Sequence, residues 1–112
     1  MICVTVLVDS EHRCQGIDML GHAGYADDYQ EGQELVCAAV SALTLNMANS
    51  VEQFTEDAFE GAQDEVSGAF QFRFTSDISS ESQLLMNSLI LGLQNIEEEY
   101  GEPYIKIRFE EV

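Results

Sequence analysis

Ala69-Phe70-Gln71-Phe72-Arg73-Phe74-Thr75 is the stretch that decides the architecture. Phe70, Phe72 and Phe74 fall on one side of an extended chain, Gln71 and Arg73 on the other. A strand that is apolar on one side only belongs to a sheet covered on one face, not to a parallel sheet buried on both. Toward the C-terminus, Ser80-Glu81-Ser82-Gln83 fits a capping box and starts a helix near Ser80. Leu85, Leu89, Leu93, Ile96 and Tyr100 form its inner stripe, with Met86 and Ile90 flanking. Gly101 and Pro103 stop it. Residues 104–110 alternate again, with Ile105, Ile107 and Phe109 facing in and Lys106 and Arg108 facing out.

Toward the N-terminus, residues 60–68 are acidic and glycine-bearing and read as a turn. Leu35, Val36, Ala39, Val40, Leu43, Met47, Val51 and Phe54 recur at steps of three and four, which predicts a long helix over 34–56. Residues 24–33 carry two glycines, two tyrosines and three acids without helical or strand period, and read as a mobile loop. Residues 2–8 and 14–20 read as two strands joined by a polar hairpin turn at 9–13. The expected fold class is α/β: a single domain spanning 1–112, built as a two-layer sandwich. A mixed or antiparallel sheet of about four to five strands carries both long helices on one face. Arg73, Lys106 and Arg108 share the helix-free face.

A chain of 112 residues supplies one core and not two. Four basic residues stand against 21 acidic ones, a formal net charge of −17. That field repels phosphate backbones and draws in basic partners. On its own it fits a surface charged for solubility better than a basic substrate. No uninterrupted apolar run reaches the roughly 20 residues that span a bilayer, and the N-terminus lacks a signal-peptide pattern. The expectation is a cytoplasmic protein with no membrane and no direct nucleic-acid partner. Three cysteines, Cys3, Cys14 and Cys37, form no framework and are expected to be free thiols. Cys3 and Cys14 lie in strands and read as small core hydrophobes. Two histidines and scattered cysteines make no zinc pattern, and the acids lack calcium-loop spacing, so neither metal nor cofactor is expected.

Cys37 is the residue with chemistry to offer. It falls in the predicted first turn of the long helix, where unpaired amides and the dipole favour a thiolate. His22 follows the second strand, 15 positions earlier, beside Gly21, Ala23 and Gly24, which keep the neighbourhood open. Strand end and helix start can converge at one sheet edge, making a thiolate–imidazolium pair for acyl transfer. Backbone amides of Ala38 and Ala39 are the expected oxyanion donors. His12, in the hairpin turn, has no partner in view.

The blocks Gly21-His22-Ala23 and Glu34-Leu35-Val36-Cys37-Ala38-Ala39-Val40-Ser41-Ala42-Leu43, with an acidic glycine-bearing loop between them, closely resemble the ribosomal-processing cysteine protease (Prp) family. Leu91-Gly92-Leu93-Gln94-Asn95-Ile96-Glu97-Glu98-Glu99-Tyr100 resembles that family's second helix. The resemblance implies a homodimeric cysteine endopeptidase. It would remove a short N-terminal extension from large-subunit ribosomal protein twenty-seven, a basic partner, cutting after a Phe-type residue. It carries Cys37 over as nucleophile and His22 as base, with Ser41 ordering the site or the peptide. Glu34 stands where some members have Asp; it, Asp27 or Asp28 could orient His22, or no acid is needed. The loop, slightly longer than in some members, would close over an apolar peptide through Gly24, Tyr25, Asp27, Asp28, Tyr29 and Gly32. The main rival is a non-enzymatic acidic assembly factor that binds a basic ribosomal protein. A thiol redox protein is disfavoured, since no C-x-x-C or resolving cysteine lies beside Cys37. A thiol hydrolase acting on small esters stays open.

Overall fold

The computed structural model describes residues 1–22 and 32–112. In chain order the elements are β1 (Ile2–Val8), β2 (Cys14–Leu20), α1 (Gln33–Phe54), β3 (Phe59–Asp64), β4 (Ala69–Phe74), α2 (Ser80–Tyr100) and β5 (Ile105–Glu111). The five strands form one sheet in the order β3-β4-β2-β1-β5. β5 runs parallel to β1, and every other pairing is antiparallel. The sheet is therefore mixed, and the two helices share one of its faces, as expected.

The core follows from the pleat. Val4, Val6, Ile17 and Phe72 point to the helices and are almost fully buried, against Val36, Val40, Met47 and Val51 of α1 and Met86 and Leu89 of α2. By length and composition α1 could cross a bilayer; here its apolar side is this core's outer wall. On the other face, Arg73 pairs with Asp18 at 2.7 Å and Arg108 donates to Thr5 at 3.1 Å. Cations expected there are thus partly spent within the sheet.

Several expectations need correction. The helical stripe is narrower at its ends than the periodicity suggests: Leu35 and Phe54 are exposed, while Thr44 and Ser50 are buried. Thr44 tolerates burial because its hydroxyl donates to the Val40 carbonyl at 2.7 Å. Phe109 is exposed near the end of β5. Cys3 is exposed on the helix-free face and only Cys14 is a core residue, because odd and even positions of β1 face opposite ways. Residues 59–64, expected to lie largely within a turn, are an edge strand.

The second helix begins one residue earlier in its capping than the sequence box implies. Ser79 is the N-cap, accepting from the Ser82 amide. Gln83, freed from capping, clamps the start of β2 by exchanging hydrogen bonds with Cys14 N–H (3.2 Å) and C=O (3.0 Å). Asp57 completes the cap, accepting from the Ser79 amide at 3.0 Å and hydroxyl at 2.6 Å and from the buried Ser82 hydroxyl. Those hydrogen bonds, the Ser79 hydroxyl first, hold the Asp57 carboxyl below its ordinary value of 3.8. A depressed folded-state value stabilises the fold above the ordinary value, and that contribution is lost as pH falls through the folded one. Melting temperature should therefore decline as pH drops below about 4. Asp57→Asn should start lower at pH 7 and show a shallower decline, measured by circular dichroism; parallel curves for the two proteins would refute the link.

Candidate active site

Gly21 ends β2 with φ 95°, a left-handed conformation in which glycine is the natural residue. A Cβ there would also strike the Met1 carbonyl oxygen. Its amide donates to the Ser67 carbonyl at 3.1 Å. His22 is exposed just past the end of the central strand β2, with Nε2 3.0 Å from the Val66 carbonyl oxygen.

α1 begins at Gln33 after Gly32, whose φ of 84° makes it a left-handed N-cap. Its own ladder opens with the Val36 amide on the Gly32 carbonyl at 3.0 Å. Cys37 is thus the fifth helical residue, at the opening of the second turn and not in the first. It is half-buried and packs against the core. The amides of Ala38 and Ala39 fall inside the i→i−4 ladder, so the two oxyanion donors expected from the sequence are committed to the helix. Glu34, the acid of the first turn, is exposed and suits the positive helix end.

Cys37 and His22 line one cavity of about 270 Å³. Ile2, Met19, Val40 and Phe70 supply apolar wall, and Ser41, one turn beyond Cys37, lies on the same side. The outer lip is the end of β3, Gln63 and Asp64, with Glu65. Glu34, Ala38 and Ala39 are not among the described lining residues, and those residues include no Lys or Arg. The cavity joins a thiol, an imidazole and an apolar trough under an acidic rim. That combination suits attack on the carbonyl of an apolar peptide. Gly24, Tyr25, Asp27, Asp28 and Tyr29, expected to close over the site, lie outside the described residues.

Residues 1–106 match the family model of the cysteine protease Prp. The chain belongs to the Prp family of cysteine proteases. It is similar to the ribosomal processing cysteine protease Prp of Staphylococcus aureus strain Mu50, 32% identical over 102 residues, covering 91% of this chain and 93% of that one. The Bacillus subtilis strain 168 protein of the same name is 33% identical over 108 residues, covering 91% and 92%. A crystal structure of the S. aureus Prp with a covalently linked product peptide superposes with a TM-score of 0.83 at 30% identity, covering 98% of this chain and all of that one. A second, with a substrate peptide, gives 0.85 at 29% identity over 98% of this chain and all of that one. Membership in a protease family sets aside the non-enzymatic rival.

What sequence reading missed is the rim. The acidic segment was legible as punctuation, yet it carries the carbonyl that touches His22. The thiols also separate by environment. Burial pushes the Cys14 thiol up to about 11, whereas Cys3 is open to solvent. Iodoacetamide at pH 7.5, a condition near neutrality chosen because thiolates are the reactive form, should label Cys3 and spare Cys14 in the folded protein. Equal labelling, read by peptide mass mapping, would contradict this burial.

Proposed function

We propose that this protease removes the short N-terminal extension of large-subunit ribosomal protein twenty-seven, cutting after an apolar Phe-type residue, with Cys37 as nucleophile and His22 as base. The observation that carries the assignment is that Cys37 and His22 line a single apolar-walled cavity. The imidazole takes the thiol proton, and sulfur adds to the scissile carbonyl carbon. As the tetrahedral centre collapses, the C–N bond breaks and the leaving amine takes the proton from the imidazolium. Water then attacks the thioester, giving its proton to the ring; the acid product leaves and the thiol is restored. A chain of net charge −17 raises the local concentration of a basic ribosomal protein. Ser41, which lines the same cavity, would order the site or the bound peptide, and the loop containing Gly24, Tyr25, Asp27, Asp28, Tyr29 and Gly32 would close over it. In this reading the enzyme works in the cytoplasm as a homodimer, which light scattering should show as twice the 12.5 kDa chain mass.

The test is incubation of the purified protein with a peptide spanning that extended N-terminus, followed by mass spectrometry. A single cut after the Phe-type residue, lost when that residue is changed to Asp, is the expected result. An intact peptide, or cuts scattered without regard to the apolar residue, would reject the substrate assignment.

A further inference from the structure

We infer that the turn following β3, anchored by Asp64 and seated through Gly68, fixes the tautomer and position of His22. This rests on the Cys37–His22 reading above and adds the means by which the ring is held. His22 Nε2 lies 3.0 Å from the Val66 carbonyl oxygen. A carbonyl can only accept, so Nε2 carries the hydrogen and the lone pair of the neutral ring is on Nδ1. Nδ1 is then the atom that receives the Cys37 proton. After that transfer both ring nitrogens carry hydrogens, and the Val66 carbonyl goes on accepting from what is now a cation, a stronger bond than before. The backbone thereby does what the carboxylate of a catalytic triad does in other nucleophile–base systems, and Glu34, outside the cavity, need not.

Val66 is 91% exposed, so packing does not hold that carbonyl. Polar bonds do. Asp64 Oδ1 accepts from the Val66 amide at 3.0 Å, and Oδ2 accepts from the Ser67 hydroxyl at 3.0 Å. The Ser67 hydroxyl oxygen in turn accepts from the Ala69 amide at 3.2 Å. Ser67 C=O accepts from the Gly21 amide at 3.1 Å, tying the turn to the residue before the histidine. Gly68 has φ 73°, and a Cβ on it would enter the Gly21 carbonyl oxygen. Asp64 and Gly68 are positioning residues: one organises the turn, the other lets it seat against the His22 segment.

Two readouts test this, one of them independent of any substrate. In ¹⁵N-labelled Cys37→Ala protein, which removes the thiol as a proton donor to the ring, long-range ¹H–¹⁵N spectra should show His22 with its hydrogen on Nε2. His12→Gln assigns the second histidine. Adding Asp64→Ala should give a mixture of tautomers, and Asp64→Asn, whose amide oxygen still accepts from Val66, should restore most of the Nε2–H form. With Cys37 intact, Asp64→Ala and Gly68→Ala should each lower kcat on the peptide by on the order of 10²-fold with KM little changed, below the ~10⁴ that a fixed wrong tautomer costs a serine triad. A ring protonated on Nδ1, or a folded Asp64→Ala protein with wild-type tautomer and kcat, would overturn the inference. If His22→Ala itself keeps full activity, the underlying base assignment fails instead.

Discussion

Cys37→Ala is expected to reduce peptide cleavage by on the order of 10⁴-fold or more, because a covalent mechanism without its nucleophile keeps only binding and polarisation. The fold should barely respond. Cys37 is half-buried on a helix that is otherwise packed by Val36, Val40, Met47 and Val51, and alanine is the best helix former. Removing one sulfur from such a site costs less than about 1 kcal/mol, far from the several that emptying a core site costs. Activity and melting temperature should therefore separate completely. Cys37→Ser should be inactive too, since a hydroxyl is a far weaker nucleophile than a thiol beside the same imidazole. Turnover should be followed by mass spectrometry and stability by circular dichroism. A Cys37→Ala protein that keeps a few per cent of wild-type turnover would remove the thiol from the mechanism and leave its place in the helix as packing alone.

The separation is possible because the site lies where β2 ends and α1 begins. The parts of the fold legible in the sequence were those where one force acts alone. β1 and β2 have the bounds the alternation gives, and α1 and α2 lie where apolar residues recur at helical spacing. β3 was not legible, for a physical reason. Phe59 is half-buried and the five residues after it are all exposed, so the strand exists through its pairing with β4 and carries almost no apolar pattern of its own. A strand held by backbone pairing with its hairpin neighbour needs no apolar alternation of its own. The same holds within the site. His22 and Cys37 stand out as residue types, and Gly21 beside the histidine is explained by its φ of 95°. The Val66 carbonyl belongs to a backbone and could not be read from any side chain. The helical start was legible to within one residue of Gln33, and on either start Ala38 and Ala39 fall past the free amides, so the oxyanion expectation overreached the helix geometry.

Phe72→Ala should be the most destabilising of the substitutions discussed, and it should reach the active site from a distance. Phe72 is fully buried in β4. It stacks on Phe59 with ring centroids 4.7 Å apart and meets Phe74 edge-on at 5.1 Å. Truncating such a ring costs ~3–5 kcal/mol, a large share of the ~5–15 kcal/mol typical of a whole domain. The melting temperature should fall by roughly 12 °C or more. The loss is also local in a particular way. Among the described residues β3 pairs with β4 alone, and Phe59 on Phe72 is its main apolar attachment. An edge strand loosened there releases Asp64 at its far end, and with it the turn whose Val66 carbonyl touches His22. At temperatures well below the melting transition, kcat should therefore drop several-fold while β1 amides stay protected from hydrogen exchange and β3 amides do not. Phe72→Leu, which keeps most of the volume but no ring to stack, should recover much of the stability and part of the activity. If β3 and β1 lose protection together in Phe72→Ala, the strand is not a separately held element, and the route from this ring to the histidine is not the one described.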